Sequence, residues 1–209
     1  MRRPDGQSPR PSLDRRQCGP CTACCVDLKI VAPELKKKAR VPCPHLGGPG
    51  GKTGCGIYDS RPAVCRQFLC GWRLFENMDE TWRPDRSGVL AMRKAPDELP
   101  AAWKAAPYGV HMLILGGEEA VLRPAFLAYA AGLMAQGIPV FLSAASPSIL
   151  LNDHIEAGCD ADYLKARVTE LYGLVHASRF EQSLFRRIGF LYRLQIDRQR
   201  QKFLRKSAG

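Results

Sequence analysis

The sequence predicts an α+β protein in which a small cysteine-rich metal-binding lobe precedes a mixed α/β scaffold with a mostly helical C-terminal half. Three observations carry this. Eight of the nine cysteines fall between Cys18 and Cys70. Residues 109–145 read as strand, helix and strand. Beyond Pro147 apolar residues recur at helical spacing. The chain has 209 residues, 45% of them hydrophobic, enough for a buried core rather than a disordered polymer.

Residues 1–16 hold three prolines and two Arg-Arg pairs without apolar periodicity, which predicts a flexible basic arm. Residues 17–73 form the cysteine lobe. Its Gly47–Gly54 stretch, GGPGGKTG, suits no regular element and is expected to connect groups of ligands. Residues 85–209 are the mixed α/β region, ending in a basic helix. Within it, Gly88 to Arg93 and Gly109 to Leu115 read as short strands. A helix from about Glu118 to Gln136 starts acidic, as the macrodipole favours, and stops at Gly137. Ile138 to Ser143 returns as a strand, completing a crossover unit with both strands in one sheet. The segment after Pro147 is predicted to be wholly helical, with Leu164, Val168, Leu171, Leu174 and Val175 on its apolar stripe.

The cysteines can be read as crosslinks or as ligands, and the compartment decides. The first residues, MRRPDGQSPRPSLDRRQ, are polar and lack the apolar stretch and cleavage site of a secretory signal. No window reaches the roughly 18 apolar residues of a membrane span. The expectation is a soluble cytoplasmic protein, in which closely spaced thiols bind metal rather than form a disulfide framework. The unpaired Cys159 points the same way and is read as a free thiol.

The net charge of +11 is uneven: residues 1–70 have 13 basic against 5 acidic groups, residues 71–188 have 12 against 14, and the last 21 have 6 against 1. Thiolates offset part of the first excess. Eight of them holding two divalent ions would carry about −4.

The candidate ligands are Cys18, Cys21, Cys24, Cys25, Cys43, Cys55, Cys65 and Cys70. A Cys-x-x-Cys turn lets two sulfurs converge on one centre, so Cys18 with Cys21, or Cys21 with Cys24, can share a metal. Adjacent residues in an extended segment face opposite ways, which separates Cys24 from Cys25. The simplest partition places Cys18, Cys21 and Cys24 on one site and Cys25 with some of Cys43, Cys55, Cys65 and Cys70 on another. The triplet also has ferredoxin spacing, for which Cys43-Pro44 would fit as the remote cysteine and proline. Zinc and an iron-sulfur cluster both remain open, and either would supply much of a small lobe's folding free energy.

The order Cys18-x-x-Cys21-x-x-Cys24-Cys25, then Cys43-Pro-His45-Leu, then Cys55-Gly-Ile-Tyr58-Asp-Ser-Arg61-Pro62-Ala-Val-Cys65-Arg-Gln-Phe68-Leu-Cys70, resembles the CxxCxxCC (YkgJ-type) cysteine cluster family. The resemblance covers roughly residues 17–73 and implies a zinc- or iron-chelating domain. Flagellin lysine-N-methylases carry a similar pattern, and some members are labelled iron-sulfur oxidoreductases. The rest of this chain offers no recognisable methyl-donor site.

Around the cysteines, Ser60-Arg61-Pro62 reads as a helix start that presents Cys65. Tyr58 and Phe68 are expected to pack about the site. Arg61 is expected either to donate toward the sulfurs or to pair with Asp59, and His45 is an alternative ligand. Gly47 to Thr53 is one residue short of a phosphate-binding loop and follows no strand. Gly116-Gly117 is followed by Glu118 and Glu119, which would repel an anion. His111, His154 and His176 lie in no catalytic pattern. From Phe180 onward, Leu184, Ile188, Leu191, Leu194 and Phe203 form a stripe beside many arginines and lysines, a packed helix with a solvated basic face. That basic end is also a candidate for an acidic protein or nucleic acid.

The leading expectation is a metal-binding protein that chelates zinc or an iron-sulfur cluster through its N-terminal cysteines. The alternatives are an iron-sulfur enzyme for electron transfer or a modification reaction, and a zinc-stabilised adaptor for nucleic acid or protein. Whether the chain is an enzyme stays open, and no catalytic residue is assigned.

Overall fold

A four-stranded mixed sheet organises the protein. The computed structural model describes residues 16–47, 54–144 and 147–177. The basic arm up to residue 15, the glycine-rich connection 48–53 and the basic C-terminal stretch 178–209 therefore lie outside the described residues. Among those described, both helices and strands are present, as an α+β chain requires.

Strand order in the main sheet is β3 (Val89–Lys94), β4 (Gly109–Ile114), β5 (Val140–Ser143) and β6 (Ile149–Leu150). β3 runs antiparallel to β4, with Val89 opposite Ile114 and Lys94 opposite Gly109. β4 and β5 are parallel, pairing Val110 with Val140 and Leu113 with Ser143. The predicted crossover unit is thus present. Its strands are rich in Val, Ile and Leu, as expected where both faces are covered.

The connection between β4 and β5 corrects the expectation of one helix. It is α5 (Glu118–Leu122) followed by α6 (Pro124–Ala135). Pro124 cannot extend the ladder of the preceding turn, and it forces Arg123 into extended backbone with ψ 131°. The stop at Gly137 is as expected, with φ +70°.

A second correction concerns the segment after Pro147. It is not wholly helical: Ile149 and Leu150 add a short edge strand antiparallel to β5, and a 3-10 turn, Leu151–Asp153, follows. Two apolar residues beside an open sheet edge gain more from pairing than from one helical turn. The helix α7 then covers residues 161–177, started by Asp160, whose carboxylate accepts from the Tyr163 amide at 2.8 Å. Leu164, Val168, Leu171 and Val175 of its stripe are buried, while Leu174 is 53% exposed. Its position on the helix, three residues after Leu171, falls at the edge of the buried arc.

The main core gathers Val89, Ala91, Val110, Met112, Ile114, Val140 and Leu142 from one sheet face. Against them pack Phe126, Ala130, Leu133 and Met134 of α6 and the buried residues of α7. A smaller cluster of Leu99, Phe141 and Leu150 covers the opposite face. The cysteine-bearing segment contributes α1 (Ala23–Asp27), the hairpin β1 (Ile30–Val31) with β2 (Lys36–Lys37), α2 (Ala63–Gln67) and α3 (Gly71–Leu74). It joins the sheet through α3. Trp72 is 3% exposed within the main core, and a Cβ on Gly71 would stand 2.7 Å from that of Ala91. The helix therefore lies directly on β3. Between them, α4 (Pro84–Ser87) ends at Gly88, whose φ of +68° and close approach to Gly116 both demand glycine.

Candidate metal centre

The first ligand pair is set by a turn. In Cys18-Gly19-Pro20-Cys21 the Cys21 amide donates to the Cys18 carbonyl at 3.0 Å, closing the loop with Gly19 at φ +54°. Gly54 packs onto this turn so closely that a Cβ would stand 2.9 Å from the Gly19 oxygen. The next two cysteines differ from the expectation of extended backbone, because Cys24 and Cys25 sit in α1. Adjacent side chains there diverge by about 100° rather than by half a turn. Their thiols remain close enough to hydrogen-bond each other.

Cys43 is tied to this helix by its backbone, its amide donating to the Cys25 carbonyl at 2.9 Å. A bridge between Leu46 and Cys55, with the Gly56 amide donating to the His45 carbonyl at 2.8 Å, lays Cys55 beside the Cys43 segment. The chain then turns at Tyr58. Arg61 Nε donates to the Tyr58 carbonyl at 2.7 Å and its guanidinium lies 3.6 Å from the Tyr58 ring centroid. α2 follows with Cys65 inside it and Pro62, rather than Ser60, at its N-cap. Cys70 stands at the N-cap of α3.

All eight expected ligands line one cavity of about 180 Å³. Most of its wall is apolar, including Leu28, Ile30, Leu35, Ile57, Val64 and Phe68. All nine cysteines carry free thiols. Among the described residues, no three His, Cys, Asp or Glu side chains already form a group that could hold a metal ion. What fits is the donor chemistry: thiols in this number, in a wall that offers few other polar groups, suit zinc or an iron-sulfur cluster far better than hard cations.

The thiols titrate unequally. Burial pushes Cys70 up to about 11, the neighbouring Cys18 and Cys21 adding to the effect. Cys65 is raised by burial and by the thiols of Cys25, Cys43 and Cys55. Cys21 is raised by burial against the opposing pull of the Ala23 and Asp85 backbone. Within the coupled pair, Cys24 is raised by its hydrogen bond to Cys25 and by burial, and Cys25 is lowered to about 7 by that bond, with Lys37 and Arg61 assisting. Lys37 is the residue that sequence reasoning missed. It is only 8% exposed, and its ammonium donates to the carbonyls of Val26 at 2.9 Å, Lys38 at 3.1 Å and Leu28. In a Lys36-Lys37-Lys38 run the sole available signal is the strand alternation that turns Lys37 inward.

Other expectations resolve individually. His45, Tyr58 and Phe68 line the cavity. Arg61 stacks on Tyr58, the geometry neither alternative for it anticipated. Cys43 is joined through its amide to the Cys25 carbonyl, and Cys43 and Cys70 both line the cavity with the Cys18, Cys21 and Cys24 triplet. Cys159 packs against the main core, away from the cavity. His111 is half-buried within hydrogen-bonding distance of Ser143, 2.7 Å away, and His176 contacts the Tyr172 ring. Gly116 lies against Gly88, and Gly117 begins α5 with φ +75°. Neither a family model, nor a curated protein, nor a solved structure matches this chain, so the likeness to the CxxCxxCC proteins rests on the residues quoted for it.

Proposed function

We propose that the protein is a thiolate metal-binding protein whose residues 17–73 act as one lobe chelating zinc or an iron-sulfur cluster in the cytoplasm. The observation that carries this is the convergence of all eight clustered cysteines on a single cavity, across a sequence span interrupted by a glycine-rich connection. The resemblance of this span to the CxxCxxCC family, carried by the same cysteines and by the residues between them, is consistent with it. Cys18, Cys21, Cys24, Cys25, Cys43, Cys55, Cys65 and Cys70 would hold the metal, which supplies Lewis-acid or redox character when bound. The chain's own part is to present thiols, to exclude water with an apolar wall and to place Lys37 and Arg61 where they favour deprotonated sulfur.

Anaerobic purification followed by metal analysis and an absorption spectrum tests the reading. Stoichiometric zinc in a colourless protein, or iron with sulfide in a brown one, is the expected result, and it separates the two metals. Cys21→Ser should lower the metal content, while Cys159→Ser should leave it unchanged. A folded, reduced preparation without bound metal would refute the proposal. A reversible redox signal from a cluster would favour the electron-transfer reading of the same site over a zinc adaptor.

A further inference from the structure

The eight thiols are not one undivided cluster. The chain tethers them in two groups. Arg16, two residues before Cys18, accepts from Arg73 Nε at 2.7 Å through its carbonyl and donates to the carbonyls of Trp72 and of Phe75, the latter at 3.1 Å. The Cys18–Cys21 turn is thereby fixed against the residues that directly follow Cys70. On the other side, Cys43 bonds to Cys25 through the backbone, and Cys55 is bridged to the Cys43 segment at Leu46. The Arg61–Tyr58 contact then closes the turn that leads from Cys55 to Cys65.

Cys24 and Cys25, neighbours on α1, leave the helix about 100° apart, so that one can turn toward each group. Each group numbers four, the number of sulfurs that completes a tetrahedral zinc or a cubane cluster.

We infer that the site holds two separate four-cysteine centres, an inner one of Cys18, Cys21, Cys24 and Cys70 seated against the sheet, and an outer one of Cys25, Cys43, Cys55 and Cys65. This rests on the metal-binding reading above and adds the pairing and the number of centres. The two differ in their surroundings. Cys21 of the inner set accepts from the Asp85 backbone, and Cys70 packs against the main core. Arg61 lines the cavity on the side of the outer set and Arg73, three residues after Cys70, on the side of the inner one, so each set has a cation to offset an excess of thiolate over metal charge.

Wild-type protein stripped of metal under reducing conditions, then titrated with zinc and alkylated at each step, tests the pairing without any variant. Mass mapping should show thiols becoming protected four at a time in these two sets, with saturation at about two ions per chain. Serine variants give a second arm read by metal content. Cys18→Ser and Cys70→Ser should each remove the same half of the bound metal, and together no more than either alone. Cys70→Ser with Cys65→Ser should remove both halves. Protection of Cys43 with the Cys18 set, or of all eight thiols in one step, would overturn the pairing while leaving metal binding intact. No protection at any zinc concentration would overturn metal binding as well.

Discussion

Replacing Lys37 with methionine isolates the least expected part of the site. The substitution keeps most of the apolar stem and removes the ammonium from three carbonyls, those of Val26, Leu28 and Lys38. Two of these belong to the end of α1 and the residue after it, so Lys37 caps the helix that carries Cys24 and Cys25. A hydrogen bond to a charged donor contributes about 1.5–3 kcal/mol. One ammonium serves all three acceptors and water can reach part of the rim, so the sum falls short of threefold, at about 3–4 kcal/mol. For a chain of this size that corresponds to a fall in Tm of about 10 °C. The loss of charge beside Cys25 should also weaken zinc at the outer centre by about tenfold, read by competition with a chromophoric chelator. Lys37→Arg should recover part of the affinity through charge alone. If Lys37→Met melts within about 1 °C of wild type and releases zinc at the wild-type chelator concentration, the cap and the charge are both unimportant.

Half-buried His111 is lowered from 6.5 to about 4, mainly through loss of solvent. Between those values the unfolded chain binds a proton that the folded one refuses, so stability is full above about pH 6.5 and falls as pH drops toward 4. Urea melts of metal-free protein should lose about 2 kcal/mol from about pH 7 to about pH 5, and His111→Gln should flatten that slope. Gly88→Ala would press a Cβ to 2.8 Å from the Gly116 Cα at a φ of +68°, and equilibrium unfolding should register a loss of about 2 kcal/mol or more; an unchanged midpoint would refute the close packing. Removing metal with a chelator should raise hydrogen exchange across residues 17–73 while the amides of β3, β4 and β5 stay protected; uniform loss of protection would mean the two regions unfold together.

The sequence announces the cysteines that line the cavity because their spacing stands out, and the strands at 89–94 and 109–114 because apolar branched residues recur there. The break in the crossover helix was equally written, in Pro124, but the apolar run on either side masked it. The edge strand at Ile149 was not written locally. Two residues specify nothing until β5 offers them a partner. The placement of Cys70 near the Cys18 turn was hidden for a similar reason: it depends on Arg16 bonding to Trp72, Arg73 and Phe75, contacts more than 50 residues apart in sequence. Lys37 shows the same limit, since a charged run looks solvated until the fold supplies three carbonyls around one member.

The glycine at position 71 has a consequence for the order of assembly. Cys70 occupies its place because Gly71 lets α3 lie on Ala91 and Trp72 lock into the core, so its sulfur is delivered by a finished sheet. The cysteines of the outer set span only residues 25–65 and need no strand of that sheet between them. On the two-centre pairing proposed above, a nascent chain would take up the outer metal early. The inner set would close only once the scaffold had folded, so that a second metal would report that the whole fold is assembled.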